Sequence, residues 1–177
     1  VTYVGVGHYD SSLDKELEID GLMIEQASTN LLNNTDQLVT GWTLSGAAVT
    51  QNRVAAPDSS MAGSLLSETA VTQVHSTSQT ITKAASSLPY TWSLYLKAQT
   101  RTWACLELTN AGSRFTTYFD LANGVVGSTT TAGAGFSSAS ASIKKCKDGW
   151  YRCTLSCTSD AGTNLTATTM PATGDGV

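Results

Sequence analysis

The sequence predicts an all-β chain folded as an antiparallel β-sandwich or barrel, and three observations carry that expectation. Apolar and polar side chains alternate with a period of two in several runs, so each run presents one face to a core and one to solvent. Gly, Asn and Asp clusters punctuate these runs about every 8–14 residues, the spacing of short strands joined by tight turns. Long stripes of helical period are absent, which argues against a parallel sheet with crossover helices. A chain of 177 residues is long enough to bury one substantial core. Its composition fits a folded domain, with 41% hydrophobic residues and a net charge of only -4.

In chain order, the first 20 residues stand apart. "HYDSSLDKELEIDG" carries charge at a density not met again. It reads as a lead-in arm reaching from a preceding domain, with a short helix around Leu13–Leu17 as the other reading. Across "GLMIEQASTNLL", Leu22, Ile24, Leu31 and Leu32 share no helical face, so this stretch is expected to be extended. Farther on, "YTWSLYLKA" sets Tyr90, Trp92, Leu94 and Leu96 against Thr91, Ser93, Tyr95 and Lys97. "RTWACLELT" sets Trp103, Cys105 and Glu107 against Ala104, Leu106 and Leu108. "SRFTTYFDL" and "VVGSTTT" flank Asn123-Gly124, a pair suited to positive backbone dihedrals, and residues 114–130 are expected to form one hairpin. In "YRCTLSC" the same period puts Tyr151, Cys153, Leu155 and Cys157 on one face, opposite Trp150 and Arg152 across the longer run.

The composition narrows function. A mildly acidic balance gives no electrostatic footprint for nucleic acid, and "KKCK" at 144–147 is the one basic cluster. No apolar run approaches the roughly 18 residues of a membrane-spanning helix, and no signal peptide is recognised. Cys105, Cys146, Cys153 and Cys157 form no CxxC pair, and only two histidines exist, so structural zinc fits poorly. Free thiols buried in the core are expected, with a disulfide from Cys146 to a neighbouring strand as the alternative. His8 and His75 stand without a nucleophile motif, and no phosphate loop or metalloprotease pattern is found. Glycoside hydrolysis needs two carboxylates across a cleft. Glu107, Asp120 and Asp148 are the acids on or beside strands, but none has motif context, so no catalytic residue is assigned.

Several motifs then resemble one family. "GLMIEQASTNLL" is similar to the "GLLIE-x-A-x-TNLL" opening of bacteriophage head-spike and tail-fibre domains. The order of later landmarks agrees: Trp42, "LSGAAVTQNRVAAPDSSMAGSLLSE", "VHSTSQTIT", "YTWSLYLKA" and "DGWYRCTLSCT". Ala56-Pro57-Asp58 and Ala62 through Glu68 match the family's middle motif, with serines in place of a Gly-Thr. The resemblance runs from about Gly21 to the C-terminus. Such domains resemble jelly-roll carbohydrate-binding modules. It implies an arm or linker over 1–20, then a jelly-roll sandwich over 21–177 with Trp42 in or near its core. The family continues past "GDG" into another strand. This chain stops at "GDGV", Gly174 to Val177, so the last strand is expected to be lacking or supplied by another chain.

The resemblance implies a non-catalytic virion module at the surface of a phage capsid or tail, assembled in the host cytoplasm. Its expected partners are host surface glycans and other virion chains, in a homo-oligomer with a trimer favoured, and neither nucleic acid nor inserted membrane. A purely structural decoration role stands beside glycan binding, and a glycan-degrading domain stands third. Sugar rings stack their C–H faces on aromatic side chains, and their hydroxyls take carboxylates, amides and guanidinium groups. The candidate carbohydrate site is therefore Tyr95, Lys97, Trp103, Glu107, Tyr118, Trp150 and Arg152, against the reading that the tryptophans are all core. No cofactor is expected. A structural calcium near the opening strand is implied by the resemblance alone, with Glu25, Asn30, Asn34 and Asp36 as oxygen donors and no ligand set assigned.

Overall fold

The computed structural model describes residues 30–35 and 37–177. The proposed arm, the opening stretch before Asn30, His8, Glu25 and Asp36 lie outside the described residues. The described chain is all-β and antiparallel, as the sequence predicts. Its strands in order are β1 (Thr43–Ser45), β2 (Ala47–Val54), β3 (Gly63–Glu68), β4 (Ser76–Thr82), β5 (Leu88–Lys97) and β6 (Trp103–Asn110). They continue with β7 (Ser113–Asp120), β8 (Val125–Ala132), β9 (Phe136–Lys145), β10 (Trp150–Ser159) and β11 (Asn164–Ala172).

Three sheets form. A six-stranded sheet runs β1-β4-β11-β6-β7-β8, a three-stranded sheet runs β5-β10-β9, and β2 and β3 pair alone. The two larger sheets share one core. The six-stranded sheet contributes Ala104, Leu106, Leu108, Phe115, Phe119, Leu165 and Ala167, and the three-stranded sheet contributes Trp92, Phe136, Tyr151, Cys153, Leu155 and Cys157. Each fully buried Leu or Phe contributes about 1.5–3 kcal/mol through removal of apolar surface from water. In β5, β6 and β10 the inward residues keep the period of two, whereas in β9 a register shift at Ser156/Thr158, with Ser138 at a positive φ of 50°, moves the inward position from the odd Ala139, Ala141 and Ile143 to the even Phe136.

Trp42 is buried as well, and its indole N–H donates to the Asn33 carbonyl at 2.9 Å. The 114–130 hairpin forms as β7 and β8, with a register shift between Thr117 and Phe119. Its turn differs from the two-residue turn that Asn-Gly suggests. Four residues, 121–124, separate the strands; Gly124 alone among them has a positive φ, +67°, and its N–H donates to the Asp120 carbonyl at 2.8 Å. The Asp120 carboxylate accepts from the Ala122 and Asn123 N–H groups and the Asn123 amide, which holds this wider turn closed. A Cβ on Gly124 would lie 2.6 Å from the Tyr151 ring, so the turn packs directly on the core.

The strand expected beyond "GDGV" would follow β11, which itself ends at Ala172. β11 lies inside its sheet, between β4 and β6, and among the described residues the edge strands of the two larger sheets are β1 and β8, and β5 and β9. At one end Lys83, only 6% exposed, directs its ammonium to the carbonyls of Ala84, Ser86 and Asp160 at 3.3, 3.3 and 2.6 Å. These three acceptors satisfy a charge that would otherwise be costly to bury.

Candidate functional site

Strand alternation and register together decide where each candidate side chain points. In β5, Tyr90, Trp92, Leu94 and Leu96 face inward, which sends Thr91, Ser93, Tyr95 and Lys97 out. Register then sets Tyr95 opposite Arg152 and Lys97 opposite Trp150. On the other side of β10, Arg152 faces Lys144 of β9. The outer face of the three-stranded sheet thus holds a row of Tyr95, Arg152 and Lys144. Tyr95 is 46% exposed, and an Arg152 Nη2 donates to the Ser93 hydroxyl at 3.1 Å.

Trp103, Glu107 and Tyr118 lie elsewhere. They stand on the outer face of the six-stranded sheet, on β6 and β7, where Cys105 faces Tyr118 and Glu107 faces Thr116. Glu107 accepts from the Thr116 hydroxyl at 2.8 Å and pairs with Arg114 at 3.2 Å. Burial raises the Tyr118 phenol above its ordinary pKa, helped by the neighbouring Cys105 and Glu107. At the Trp103 end, Asp175 accepts from the Ser128 N–H at 2.6 Å and its hydroxyl at 3.0 Å. A Cβ on Gly127 would meet both the Trp103 ring and the Asp175 carboxylate, at 2.7 and 2.6 Å. The bare backbone of Gly127 is what lets the two groups meet there. The seven candidates therefore occupy two faces that back onto a common core, with Tyr95, Lys97, Trp150 and Arg152 on one and Trp103, Glu107 and Tyr118 on the other.

A cleft reunites part of the set. A cavity of about 1030 Å³ opens between the β2–β3 pair and the end of β5, and Tyr95, Lys97, Trp103 and Trp150 all contribute to its lining. Leu66, Leu94, Leu96 and Met170 add apolar wall. Arg101 and Glu68, also in the lining, form a two-pronged ion pair, Nε to Oε1 at 2.8 Å and Nη2 to Oε2 at 2.7 Å. The Arg101 guanidinium holds the Glu68 carboxyl below its ordinary pKa. Sequence reasoning missed both residues, although Glu68 ends a motif the resemblance rests on. The pairing joins positions 33 apart, which no local pattern reveals.

Trp150 corrects an expectation. Its ring is 7% exposed, and its indole N–H donates to the Ala55 carbonyl at 3.0 Å. Beside it, a Cβ on Gly63 would lie 3.3 Å from that ring. The chain around β2 and β3 covers Trp150, so it serves as a wall and not as an open stacking platform. Trp42 and Trp92 are buried too, which leaves Trp103 as the one partly exposed tryptophan.

The remaining chemistry-bearing groups are committed locally. All four cysteines are free thiols, with Cys105, Cys153 and Cys157 buried and Cys146 partly exposed. Burial pushes the thiols of Cys105 and Cys153 up to about 12 and that of Cys157 to about 11. His75 is hydrogen-bonded through Nδ1 to the Gly46 carbonyl, and Asn34 donates its amide to the Thr40 carbonyl at 3.0 Å. Asp148 is exposed in the turn before β10. Among the described residues no group of three or more His, Cys, Asp or Glu side chains is placed to hold a metal ion, and no helix is long and apolar enough to cross a membrane. Compared with known proteins, the chain matches no family model and no curated protein.

Proposed function

We propose that this chain is a non-catalytic glycan-binding module of jelly-roll type, carried by a phage head spike or tail fibre and displayed in several copies, as a trimer. The phage assignment rests on the motif resemblance from Gly21 onward. The binding assignment rests on one observation: Tyr95, half open to solvent, stands at a cleft of about 1030 Å³ lined also by Trp103, Lys97 and Arg101. That volume is at the upper end of ordinary ligand clefts, and aromatic rings beside cationic donors are what a sugar ring and its hydroxyls require. Of the three acids on or beside strands, Glu107 is held by Arg114 and Thr116 and Asp120 closes its own turn, which favours binding over hydrolysis.

Trp103→Ala and Tyr95→Ala, each applied to a glycan array, test the reading. Both variants are expected to abolish the array signal while the urea unfolding midpoint stays within experimental error for Tyr95→Ala. Retained signal in both variants, or no signal from the parent chain, overturns it. A structural decoration role is the second reading, favoured by the burial of Trp42, Trp92 and Trp150. In that case the array stays blank and cross-linking captures other virion chains.

A further inference from the structure

The outer face of the three-stranded sheet carries an unusual charge arrangement. Its positions in β5 are Thr91, Ser93, Tyr95 and Lys97; in β10, Trp150, Arg152, Thr154, Ser156 and Thr158; in β9, Ser140, Ser142 and Lys144. These side chains include three cations, many hydroxyls and no carboxylate. Arg152 and Lys144 sit directly opposite each other. Like charges at opposed cross-strand positions destabilise a sheet. Among the described residues, the ion pairs are Arg101 with Glu68 and Arg114 with Glu107, so none of the three cations has an acidic partner. Asp58 shares the cleft lining with Tyr95 and Lys97 but not the sheet face, and its carboxylate accepts from the Ser60 N–H and hydroxyl. Lys147, near it, donates to the Ser59 hydroxyl at 2.6 Å.

We infer that this face binds an acidic polysaccharide, one whose sugars carry carboxylates, with the Tyr95–Arg152–Lys144 row as the contact line. The inference rests on the glycan-binding reading, shares Tyr95 and Lys97 with the cleft, extends the site from there onto the adjoining sheet face, and adds the chemical class of ligand. Adjacent strands stand about 4.8 Å apart, so the three side chains span about 10 Å, enough to meet more than one sugar. Tyr95 supplies the stacking surface. Arg152 supplies a planar fork for a carboxylate, pre-set by its hydrogen bond to Ser93. Lys144 and Lys97 supply point charges, and the hydroxyls of Ser93, Thr154 and Ser142 face the sugar hydroxyls. A ligand carboxylate between Arg152 and Lys144 relieves the repulsion that the unliganded sheet carries. Nucleic acid fits less well, since three cations on a chain of net charge -4 do not make the extended basic stripe that phosphate backbones select.

Calorimetric titration of the whole chain with polygalacturonate, hyaluronate and polysialic acid, against neutral dextran, fully methyl-esterified polygalacturonate and duplex DNA, tests this. At least one acidic polymer is expected to bind and the neutral polymers to bind more weakly. Arg152→Gln or Lys144→Gln should weaken acidic binding by about threefold to fivefold each and about tenfold together. Raising the salt concentration should have the same direction of effect. Both variants should unfold at the parent's urea concentration or above it, because a like-charge pair is removed; a lowered midpoint would mean the cations are structural and overturn the inference. Binding to neutral polymers alone overturns it while leaving the glycan-binding reading intact. Binding to no polysaccharide of either kind overturns both. Duplex DNA binding as tightly as the best acidic polymer also overturns it, since the face would then be a general polyanion surface.

Discussion

The Cys105, Cys153 and Cys157 thiols lie 2%, 0% and 4% exposed, and their chemistry follows from that burial. A thiolate in such surroundings would lose its hydration, and at Cys105 the nearby Glu107 carboxylate adds to that cost more than Arg114 offsets it, so the neutral thiol is favoured and the pKa rises to about 12, about 12 and about 11. In the unfolded chain the same groups ionise near 8.5. Between the two values the unfolded state has released protons that the folded state still holds, so stability must fall as pH rises through that window. Stability is therefore expected to be insensitive to these thiols below about pH 8 and to decline from about pH 9 towards pH 12, by about 1 kcal/mol per thiol per pH unit. Urea unfolding across that range checks it, and a flat profile would contradict the burial. Cys146 is different: it is partly exposed, at the end of β9, with its thiol donating weakly to the Lys144 carbonyl at 3.7 Å. An aromatic disulfide reagent at pH 8 should modify one thiol per folded chain and four per unfolded chain.

The β2–β3 pair is an element with little core of its own. Gly63 is its one buried residue, and the other positions are half-buried or exposed. It is tied to its surroundings by separate polar contacts: Arg101 to Glu68, Trp150 to Ala55, and Lys147 to Ser59. Exposed ion pairs contribute at most about 1 kcal/mol each. Local opening should therefore cost far less here than in β6, β7 or β10, whose inward residues are fully enclosed. Amide exchange is expected to run at least about a hundredfold faster in Val49, Thr50, Leu65 and Leu66 than in Leu106, Phe115 and Leu155. Equal protection would show that the pair is integral to the core.

This element also marks where the sequence stops being readable. Alternation separated the two faces of β5, β6 and β10, because a strand's two faces follow from spacing alone. It could not say which sheet a strand joins. Tyr95 and Trp103 sit on consecutive strands, yet β5 pairs with β10, about 60 positions later, while β6 pairs with β7 and β11. That long-range choice split the expected patch between two faces. In the same way, Trp150 was covered by Ala55 from 95 positions away.

The molecule as a whole sorts its charge. Residues 1–29 carry six carboxylates against one lysine, so the remaining 148 residues are nearly neutral, with nine cations against eight acids. Within that remainder Glu68 pairs with Arg101 and Glu107 with Arg114, whereas Lys97, Lys144 and Arg152 share a strand face that itself carries no carboxylate. The net charge of -4 thus conceals a local surface of opposite sign. Such a surface does not by itself bind tightly. Covering about 80 Å² of tyrosine at about 25 cal/mol/Å² gives about 2 kcal/mol, and a few screened ion pairs bring a single site to about 4 kcal/mol, near millimolar affinity. A module of that strength works only in copies held together, where the second contact becomes intramolecular and the apparent affinity rises by about 10²–10⁴. The chain fused to a trimeric coiled coil should therefore bind an immobilised acidic polysaccharide about 10²–10⁴ times more tightly than the monomer. The Arg152→Gln penalty should be multiplied across the three copies. A trimer no tighter than the monomer would mean that the sites cannot engage one polymer together, and micromolar binding by the monomer would mean that the face does more than its exposed groups account for.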